Sequence, residues 1–213
     1  MKEILLIDRE FGSGGSCIAE ILAGRLKWKL FDEALTQEIA RVAKIPEELC
    51  RKREGRKDPF LRHLINLIWR GSFDRNLPSP DTAILDTDRL VCIVEKVVKK
   101  AAEEGPCIIV GRGAPYFLRE RTDTLCVFLY ASRDLKYHRV LKRVGGNEKE
   151  AIELVDTLDD ERRKFVKHYF GHDWPNRQLF HAMFNTAIGD DKTADAILQL
   201  LDAVNRKEEA AKA

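Results

Sequence analysis

The chain has 213 residues, enough for one substantial domain that carries an insertion or a lid. Apolar residues make up 44% of it and charged residues 34%, which excludes an intrinsically disordered protein and predicts a buried core. Its 37 basic residues nearly balance 35 acidic ones, and a net charge of +2 argues against binding nucleic acid or a membrane surface through overall charge.

Strands and helices are predicted to alternate along the first part of the chain. An apolar run at residues 4–7 predicts a buried strand, and a glycine-rich turn joins it to a helix with apolar residues at helical spacing. A short strand at residues 28–31 and a helix that ends near Pro46 follow. Residues 47–80 are charged, then apolar, and broken by Pro and Gly, which suggests an inserted helical region.

The second half continues this alternation. Residues 87–102 predict an amphipathic helix that ends at Gly105-Pro106. Residues 134–167 are helical in composition, rich in Arg and Lys and interrupted at Gly145-Gly146. Strands are predicted at residues 107–110, 125–130 and 182–184, and a closing helix at residues 193–205. The pattern predicts an α/β fold with a doubly wound parallel sheet and right-handed crossovers.

The five cysteines show neither zinc-ligand spacing nor a paired redox motif. Three of them lie inside apolar runs, where a reduced thiol behaves as a small hydrophobe. The sequence has no signal-peptide pattern at its start and no segment near the roughly 20 apolar residues that span a bilayer. We therefore expect a cytoplasmic protein without a membrane partner. The pattern indicates no oligomeric state.

The glycine-rich turn at residues 12–16 is the first candidate site. Backbone N–H groups between a strand and a helix N-terminus form an anion site, for which phosphate is the natural ligand. One possibility is a dinucleotide-binding motif, because Gly12, Gly14 and an acidic residue at Asp32 have the required spacing. Cys17, however, stands where the third glycine of that motif belongs.

A P-loop is the second possibility for this turn. Ser16 supplies the hydroxyl that holds magnesium in a P-loop, but Arg9 stands in the position of its first glycine and Gly15 in the position of its lysine. A third possibility is a purely structural glycine turn. The turn alone does not decide between them.

Seven motifs in chain order bear on that choice. They are Arg9 to Gly15, Leu30-Phe31-Asp32, Ile109 to Ala114, Phe128 to Ser132, Asp159-x-x-Arg162-x-x-Phe165, Asp173-Trp174 and Asn185-Thr186. Together they resemble the cytidylate-kinase-like family of P-loop nucleoside monophosphate kinases. The resemblance covers nearly the whole chain.

The resemblance implies one nucleoside-monophosphate-kinase-like domain over residues 1–213. Its P-loop core is expected at residues 1–32, 87–134 and 180–205. A helical acceptor-binding insertion is expected at residues 33–86, and an Arg-rich lid at residues 135–179.

The resemblance further implies ATP-dependent phosphoryl transfer with Mg²⁺ to a nucleoside monophosphate, CMP or dCMP being favoured. Much of that family carries a glycine in place of the P-loop lysine. The alternative is therefore a catalytically degenerate module that binds nucleotides for regulation. Base-reading side chains would lie in the poorly patterned insertion, so the base is not determined.

Phosphoryl transfer needs alignment, magnesium and cations more than covalent chemistry, so arginines are the expected catalytic groups. The candidate catalytic residues are Arg9, Arg139 and Arg162. The candidate ATP phosphate-binding residues are Gly12, Ser13, Gly14, Gly15, Ser16 and Cys17. The candidate acceptor-binding residues are Asp32, Arg41 and Arg112. No metal ligand is assigned directly, and His168 and His172 are separated by a helix break at Gly171 that argues against a metal site.

Most of these candidates have a plainer alternative. Arg112 could be a surface arginine in a turn, Arg41 a helix-surface arginine and Arg162 one half of an exposed i,i+3 ion pair. Asp32 could cap the helix that follows it. Arg9, the expected substitute for the missing lysine, could instead pair with Asp8 or Glu10. Lys136 and Arg139, which by resemblance open the lid, could lie on a solvated helix face.

Overall fold

The computed structural model describes residues 1–42, 87–144 and 148–210. The insertion predicted at residues 47–80 and the glycine break at Gly145-Gly146 lie outside these ranges. No helix in the described ranges combines the length and the apolar character that crossing a bilayer requires.

Within the described residues, five strands form one parallel sheet. They are β1 (Ile4–Arg9), β2 (Lys29–Phe31), β3 (Cys107–Val110), β4 (Thr124–Tyr130) and β5 (Ala182–Asn185). Their order is β2-β3-β1-β4-β5, and every neighbouring pair is parallel. The predicted parallel α/β sheet is therefore confirmed, and each predicted strand lies within two residues of the observed one.

The strand order also decides between the two nucleotide-binding patterns. In a dinucleotide-binding fold the second strand lies next to the first. Here β3 lies between β1 and β2, in register with Ile4–Ile7 of β1. The dinucleotide-binding alternative is therefore wrong for this chain.

Helices cover both faces of the sheet. They are α1 (Gly15–Leu26), α2 (Glu33–Val42), α3 (Thr87–Glu103), α4 (Ala114–Phe117), α5 (Arg133–Val144), α6 (Glu148–Phe170) and α7 (Asp190–Ala210). Two 3-10 turns, Arg177–Leu179 and Thr186–Ile188, flank β5.

The core has one layer on each side of the sheet because alternate residues of a strand face opposite sides. Leu5 and Ile7 of β1 face a layer formed with α1 and α7. Ile4 and Leu6 face a layer formed with α3 and α6. All four side chains are buried, as a central strand covered on both faces requires.

The cysteine prediction needs one correction. Cys107 and Cys126 are buried in strands, but Cys92 is exposed on α3 because a helix turns the residues of one apolar run toward different sides. Cys50 lies outside the described residues.

A third apolar cluster lies at the carboxyl edge of the sheet. Phe11, from the glycine-rich turn, packs against Val140 of α5 and against Val155 and Leu158 of α6. The two helices of the region expected to form a lid therefore rest on the phosphate-binding turn in this structure. Opening and closing of that region stays a prediction.

Candidate active site

The glycine-rich turn takes its shape from two left-handed glycines. Gly12 and Gly14 have φ angles of 80° and 89°, a region that side chains other than glycine rarely adopt. A Cβ on Gly12 would lie 2.8 Å from the carbonyl oxygen of Lys136, so the turn also needs glycine there for close approach of α5. No side chain in the described part of the chain caps α1 at Gly14, and the first N–H groups of a helix have no intrahelical acceptor. The turn therefore offers backbone donors to an anion.

The remaining residues of the turn divide between structural and exposed positions. Ser13 is fully buried, and its Oγ donates to the carbonyl oxygen of Glu10 at 2.8 Å. Cys17 is exposed in the first turn of α1. The side chain of Ser13 therefore stabilises the turn. The side chains of the exposed residues next to it are the ones that can contact a ligand.

Ser16 and Asp32 meet beside the turn. The Ser16 hydroxyl donates to Oδ2 of Asp32 at 2.9 Å, which joins the start of α1 to the end of β2. Hydroxyl and carboxylate oxygens are ligands that suit Mg²⁺, which usually takes one or two protein oxygens and completes its shell with water and substrate phosphates. The described residues contain no cluster of three or more His, Cys, Asp and Glu that could hold a metal without such help. The pair fits a magnesium ion held partly by substrate.

Arg9 crosses the position where a P-loop carries its lysine. A Cβ on Gly15 would lie 2.8 Å from Cγ of Arg9, and a Cβ on Gly111 would lie 1.9 Å from its Nη1. The guanidinium ends 3.6 Å from Oδ1 of Asp32. The hydrogen bond described between Asp8 and Arg9 comes from the backbone N–H of Arg9, at 3.0 Å, and not from its guanidinium. Arg9 thus runs over Gly15 toward Asp32 rather than pairing with its sequence neighbours.

Arg112 is buried at the carboxyl end of β3, not exposed in a surface turn. Its side chain is 1% exposed, and its Nη2 lies 3.9 Å from Oδ1 of Asp32. Burial lowers the pKa of Arg112 to about 9, the charge of Asp32 opposes this shift, and the charges of Arg9 and Arg162 add to it. The residue also has a φ of 59°, an uncommon conformation for a side chain of this size. The fold therefore holds a strained, buried cation next to Asp32.

Arg162 reaches the same place from α6. Its Nη1 donates to the carbonyl oxygen of Arg9 at 3.2 Å and to Oδ1 of Asp159 at 3.1 Å. Burial lowers the pKa of Arg162, and the nearby charge of Arg9 lowers it further. The i,i+3 pair with Asp159 does form, but it is buried against the turn instead of lying on a solvated helix face.

Asp159 links α5, α6 and the turn. It accepts the backbone N–H of Phe11 at 2.7 Å and Nζ of Lys136 at 2.8 Å. Lys136 also pairs with Glu10 at 3.0 Å. Burial acts to lower the pKa of Lys136, but the hydrogen bonds and charges of Asp159 and Glu10 outweigh it and raise the value. Lys136 therefore anchors α5 to the turn.

Arg139 contacts the turn from its outer side. Its Nη1 donates to the carbonyl oxygen of Ser13 at 2.7 Å and to Oγ1 of Thr186 at 2.8 Å, and its Nη2 donates to Oδ1 of Asp190 at 2.8 Å. These contacts join α5, the turn and the start of α7. In this structure Arg139 thus holds the turn in place.

Arg41 lies apart from these groups. It is exposed on α2 and pairs with Glu38 at 2.7 Å, which raises the pKa of Arg41. It does not line the cavity described next. Its acceptor-binding role stays a prediction from the resemblance.

A cavity of about 40 Å³ adjoins the arginine cluster. Val94, Phe165 and Val166 form part of its apolar wall, and its polar lining is Asp8, Arg9, Arg112, Tyr116, Arg162 and Trp174. The sequence motifs did not single out Asp8 or Tyr116 as site residues. Asp8 ends the apolar run of the first strand, and Tyr116 lies three residues after the Gly111-Arg112-Gly113 motif. Their closeness in sequence to these motifs was the one feature that could have indicated a place in the site.

The parallel sheet, the phosphate-binding turn and the arginines at its carboxyl edge define a P-loop kinase fold. The family model described as cytidylate kinase-like matches residues 4–188, and the chain belongs to that family. The cytidylate kinase of Methanopyrus kandleri is 25% identical over 125 residues. That match covers 54% of this chain and 65% of the relative, so the chain spans less than two thirds of that protein's length.

Solved structures agree on the fold. An uncharacterized protein from Eubacterium ventriosum has a TM-score of 0.68 at 22% identity, with 94% of this chain and 99% of that one covered. A gluconokinase from Sinorhizobium meliloti has a TM-score of 0.57 at 15% identity, with 98% of each chain covered. A shikimate kinase from Bacteroides thetaiotaomicron has a TM-score of 0.53 at 13% identity, with 93% and 98% covered. These likenesses establish the fold.

Proposed function

We propose that this protein transfers the γ-phosphoryl group of ATP to a nucleoside monophosphate, with CMP or dCMP as the favoured acceptor. The observation that carries the proposal is the convergence of Arg9, Arg112 and Arg162 on one cavity beside the glycine-rich turn, with Arg9 and Arg112 next to the carboxylate of Asp32. Three cations at one place suit the charge of two nucleotides whose phosphates meet. The family and the cytidylate kinase relative support the choice of acceptor.

The donor side of this proposal uses the turn and Ser16. The N–H groups at the start of α1 would bind donor phosphates, as helix N-termini do. Ser16 and Asp32 would hold Mg²⁺ through their oxygens, directly or through water. When bound, Mg²⁺ would supply positive charge that offsets the charge of the donor phosphates.

Arg9 supplies the cation that the P-loop lacks at Gly15. Its side chain occupies the space into which a lysine side chain at residue 15 would begin, so the two cations exclude each other in this conformation. Its guanidinium lies near Asp32, on the side where the donor's terminal phosphate would meet the acceptor. A cation there stabilises the charge that spreads over the transferred group.

Arg112 binds the acceptor phosphate, and Arg162 completes the cation cluster from α6. Arg112 is set by the end of β3, and Arg162 is set by its bonds to Asp159 and to the carbonyl oxygen of Arg9. Arg139 positions the turn through Ser13 and Thr186, and we propose that it also faces the donor when the lid region closes. Fixed cations need no rearrangement when transfer occurs, which is the main source of catalysis in such sites.

A second candidate function is nucleotide binding without transfer. The missing lysine at Gly15 favours it, because a P-loop without any substitute cation should be very slow. Ligand binding would then act by changing the population of conformations.

Coupled turnover with ATP, Mg²⁺ and a panel of nucleoside monophosphates separates the two functions. Phosphorylation of CMP or dCMP above the other acceptors is the expected result. Binding of nucleotides without any turnover would contradict transfer and support the regulatory module. Phosphorylation of a different monophosphate would contradict only the choice of acceptor.

A further inference from the structure

The hydroxyl group of Tyr116 makes no hydrogen bond within the described residues. Tyr116 lies on α4, directly after the loop that carries Arg112, and it lines the same cavity as Arg112 and Asp8. Its side chain is nearly enclosed, because the residue is only 4% exposed. Its backbone is held by a hydrogen bond from its N–H to the carbonyl oxygen of Gly113 at 2.9 Å.

The hydroxyl of Tyr116 has no hydrogen-bond partner among the described residues, although it is buried. The ring cannot easily turn away, because it stacks on Phe170 with centroids 4.4 Å apart and planes 11° from parallel. Buried hydroxyl groups in folded proteins are nearly always paired, so an unpaired one needs an explanation. A ligand or bound water that enters the cavity would provide the partner.

The surroundings of the hydroxyl indicate an anionic oxygen. Burial raises the pKa of Tyr116, and the charge of Asp8 raises it further, so the phenol keeps its proton and can donate it. The two carboxylate oxygens of Asp8 already accept the N–H of Arg9 at 3.0 Å and Nε1 of Trp174 at 2.9 Å. The other charged groups that line the cavity are guanidiniums. A negatively charged oxygen suits both the phenol and these cations.

The size of the cavity restricts where such an oxygen can lie. A volume of about 40 Å³ has room for only about three water molecules, which is also the scale of the terminal oxygens of a phosphate group. Arg112 and Tyr116 line this one cavity, so a phosphate group that enters it is offered both a guanidinium and a phenol hydroxyl.

We propose that Tyr116 is an acceptor-binding residue whose hydroxyl donates a hydrogen bond to a phosphate oxygen of the acceptor, alongside the guanidinium of Arg112. The identity of the acceptor as a nucleoside monophosphate rests on the proposed function. The assignment of a phosphate oxygen rests on the cavity and its cations.

Tyr116→Phe tests the assignment because it removes only the hydroxyl and keeps the ring stacked on Phe170. We expect calorimetry to show about tenfold weaker binding of CMP, while binding of a non-hydrolysable ATP analogue stays unchanged. Binding of cytidine, which has no phosphate, should not change. The melting temperature of the free protein should stay the same or rise, because an unpaired buried hydroxyl is removed.

Tyr137→Phe is the matched control. Tyr137 lies on α5 and donates its hydroxyl to Glu148 at 2.8 Å, away from the residues that line the cavity. Removal of that hydroxyl should leave the affinity for CMP unchanged and should not raise the melting temperature.

Three results would overturn the proposal. Unchanged CMP affinity in Tyr116→Phe would remove the hydroxyl from the site. Equal weakening of CMP and cytidine would place it against the nucleoside instead of the phosphate. Weaker binding accompanied by a lower melting temperature would indicate that the hydroxyl only supports the structure.

Inorganic phosphate separates failure of this proposal from failure of the proposed function. If the native protein binds no nucleoside monophosphate, the acceptor is wrong, but phosphate should still raise its melting temperature, and less so in Tyr116→Phe. Equal phosphate-dependent shifts in both proteins, or no shift in either, would overturn the proposal for Tyr116.

Discussion

The contact between Arg9 and Gly15 makes the effect of one substitution depend on the presence of another. In the native background, Gly15→Ala places a Cβ 2.8 Å from Cγ of Arg9, closer than real carbon atoms approach. Overpacking of this kind costs about 1–3 kcal/mol of the free energy of unfolding. In the Arg9→Ala background Cγ is gone, and the Cβ that remains at residue 9 lies 3.1 Å from the new Cβ, a contact that a shift of a few tenths of an ångström relieves. Gly15 lies in α1 without a positive φ, so the gain of about 0.5–1 kcal/mol from alanine over glycine should offset this smaller contact and leave little net change.

Urea unfolding of the four proteins in this cycle measures the coupling. We expect Gly15→Ala to lower the free energy of unfolding when Arg9 is present and to leave it nearly unchanged when Arg9 is replaced by alanine. The difference between the two effects should be roughly 2 kcal/mol, well above the error of additivity for independent sites. The same cost of Gly15→Ala in both backgrounds would refute the reasoning, because glycine would then be needed for the backbone alone.

Turnover of the same four proteins tests the catalytic part of the argument. Arg9→Ala should lower turnover by about tenfold or more, equivalent to about 1.4 kcal/mol of barrier, if Arg9 is the substitute for the lysine. Gly15→Ala should also lower turnover when Arg9 is present, because it displaces that cation. Normal turnover in folded Arg9→Ala protein would show that the cation comes from elsewhere.

Three further predictions follow from the same site. Arg112→Ala should weaken CMP binding by about 1.5–3 kcal/mol and leave the affinity for an ATP analogue nearly unchanged, and calorimetry that finds equal CMP affinity would exclude Arg112 from the acceptor site. A bisubstrate analogue should slow hydrogen exchange across residues 136–167, and identical exchange with and without it would count against a lid. Trp174→Phe leaves Oδ2 of Asp8 without its indole donor and should lower the free energy of unfolding by about 1–3 kcal/mol. An unchanged midpoint of urea unfolding would contradict this prediction.

The strands were predictable because each is a short apolar run buried on both faces. The runs at the first strand and at residues 107–110 read directly as central strands, and their positions agree with the structure. The strand order was not available from periodicity, since an apolar run carries no information about its neighbours. The family motifs favoured a P-loop, and the placement of β3 between β1 and β2 then excluded the dinucleotide-binding pattern.

For the arginines, too, the sequence predicted the position in the chain, and the structure alone showed the contacts of the side chains. The motif around Arg112 predicted a loop position just after a buried strand, and Arg112 does follow β3, but the burial of its side chain was visible only in the structure. Arg139 was expected to face substrate, yet in this structure its guanidinium is bonded to the turn and to Asp190. Those partners are more than forty residues away in the chain, so no local pattern could reveal them.

The sequence by itself determined the elements of this protein, the phosphate-binding turn and the family, because hydrophobic period, glycine spacing and local motifs are properties of neighbouring residues. The tertiary structure alone decided that Arg9 crosses Gly15 toward Asp32. It also decided that the Tyr116 hydroxyl, which has no partner among the described residues, lines the same cavity as Arg112. Both features depend on side chains that different strands and helices bring to one edge of the sheet. The free energy of such contacts depends on distances across the fold, and chain order does not encode those distances locally.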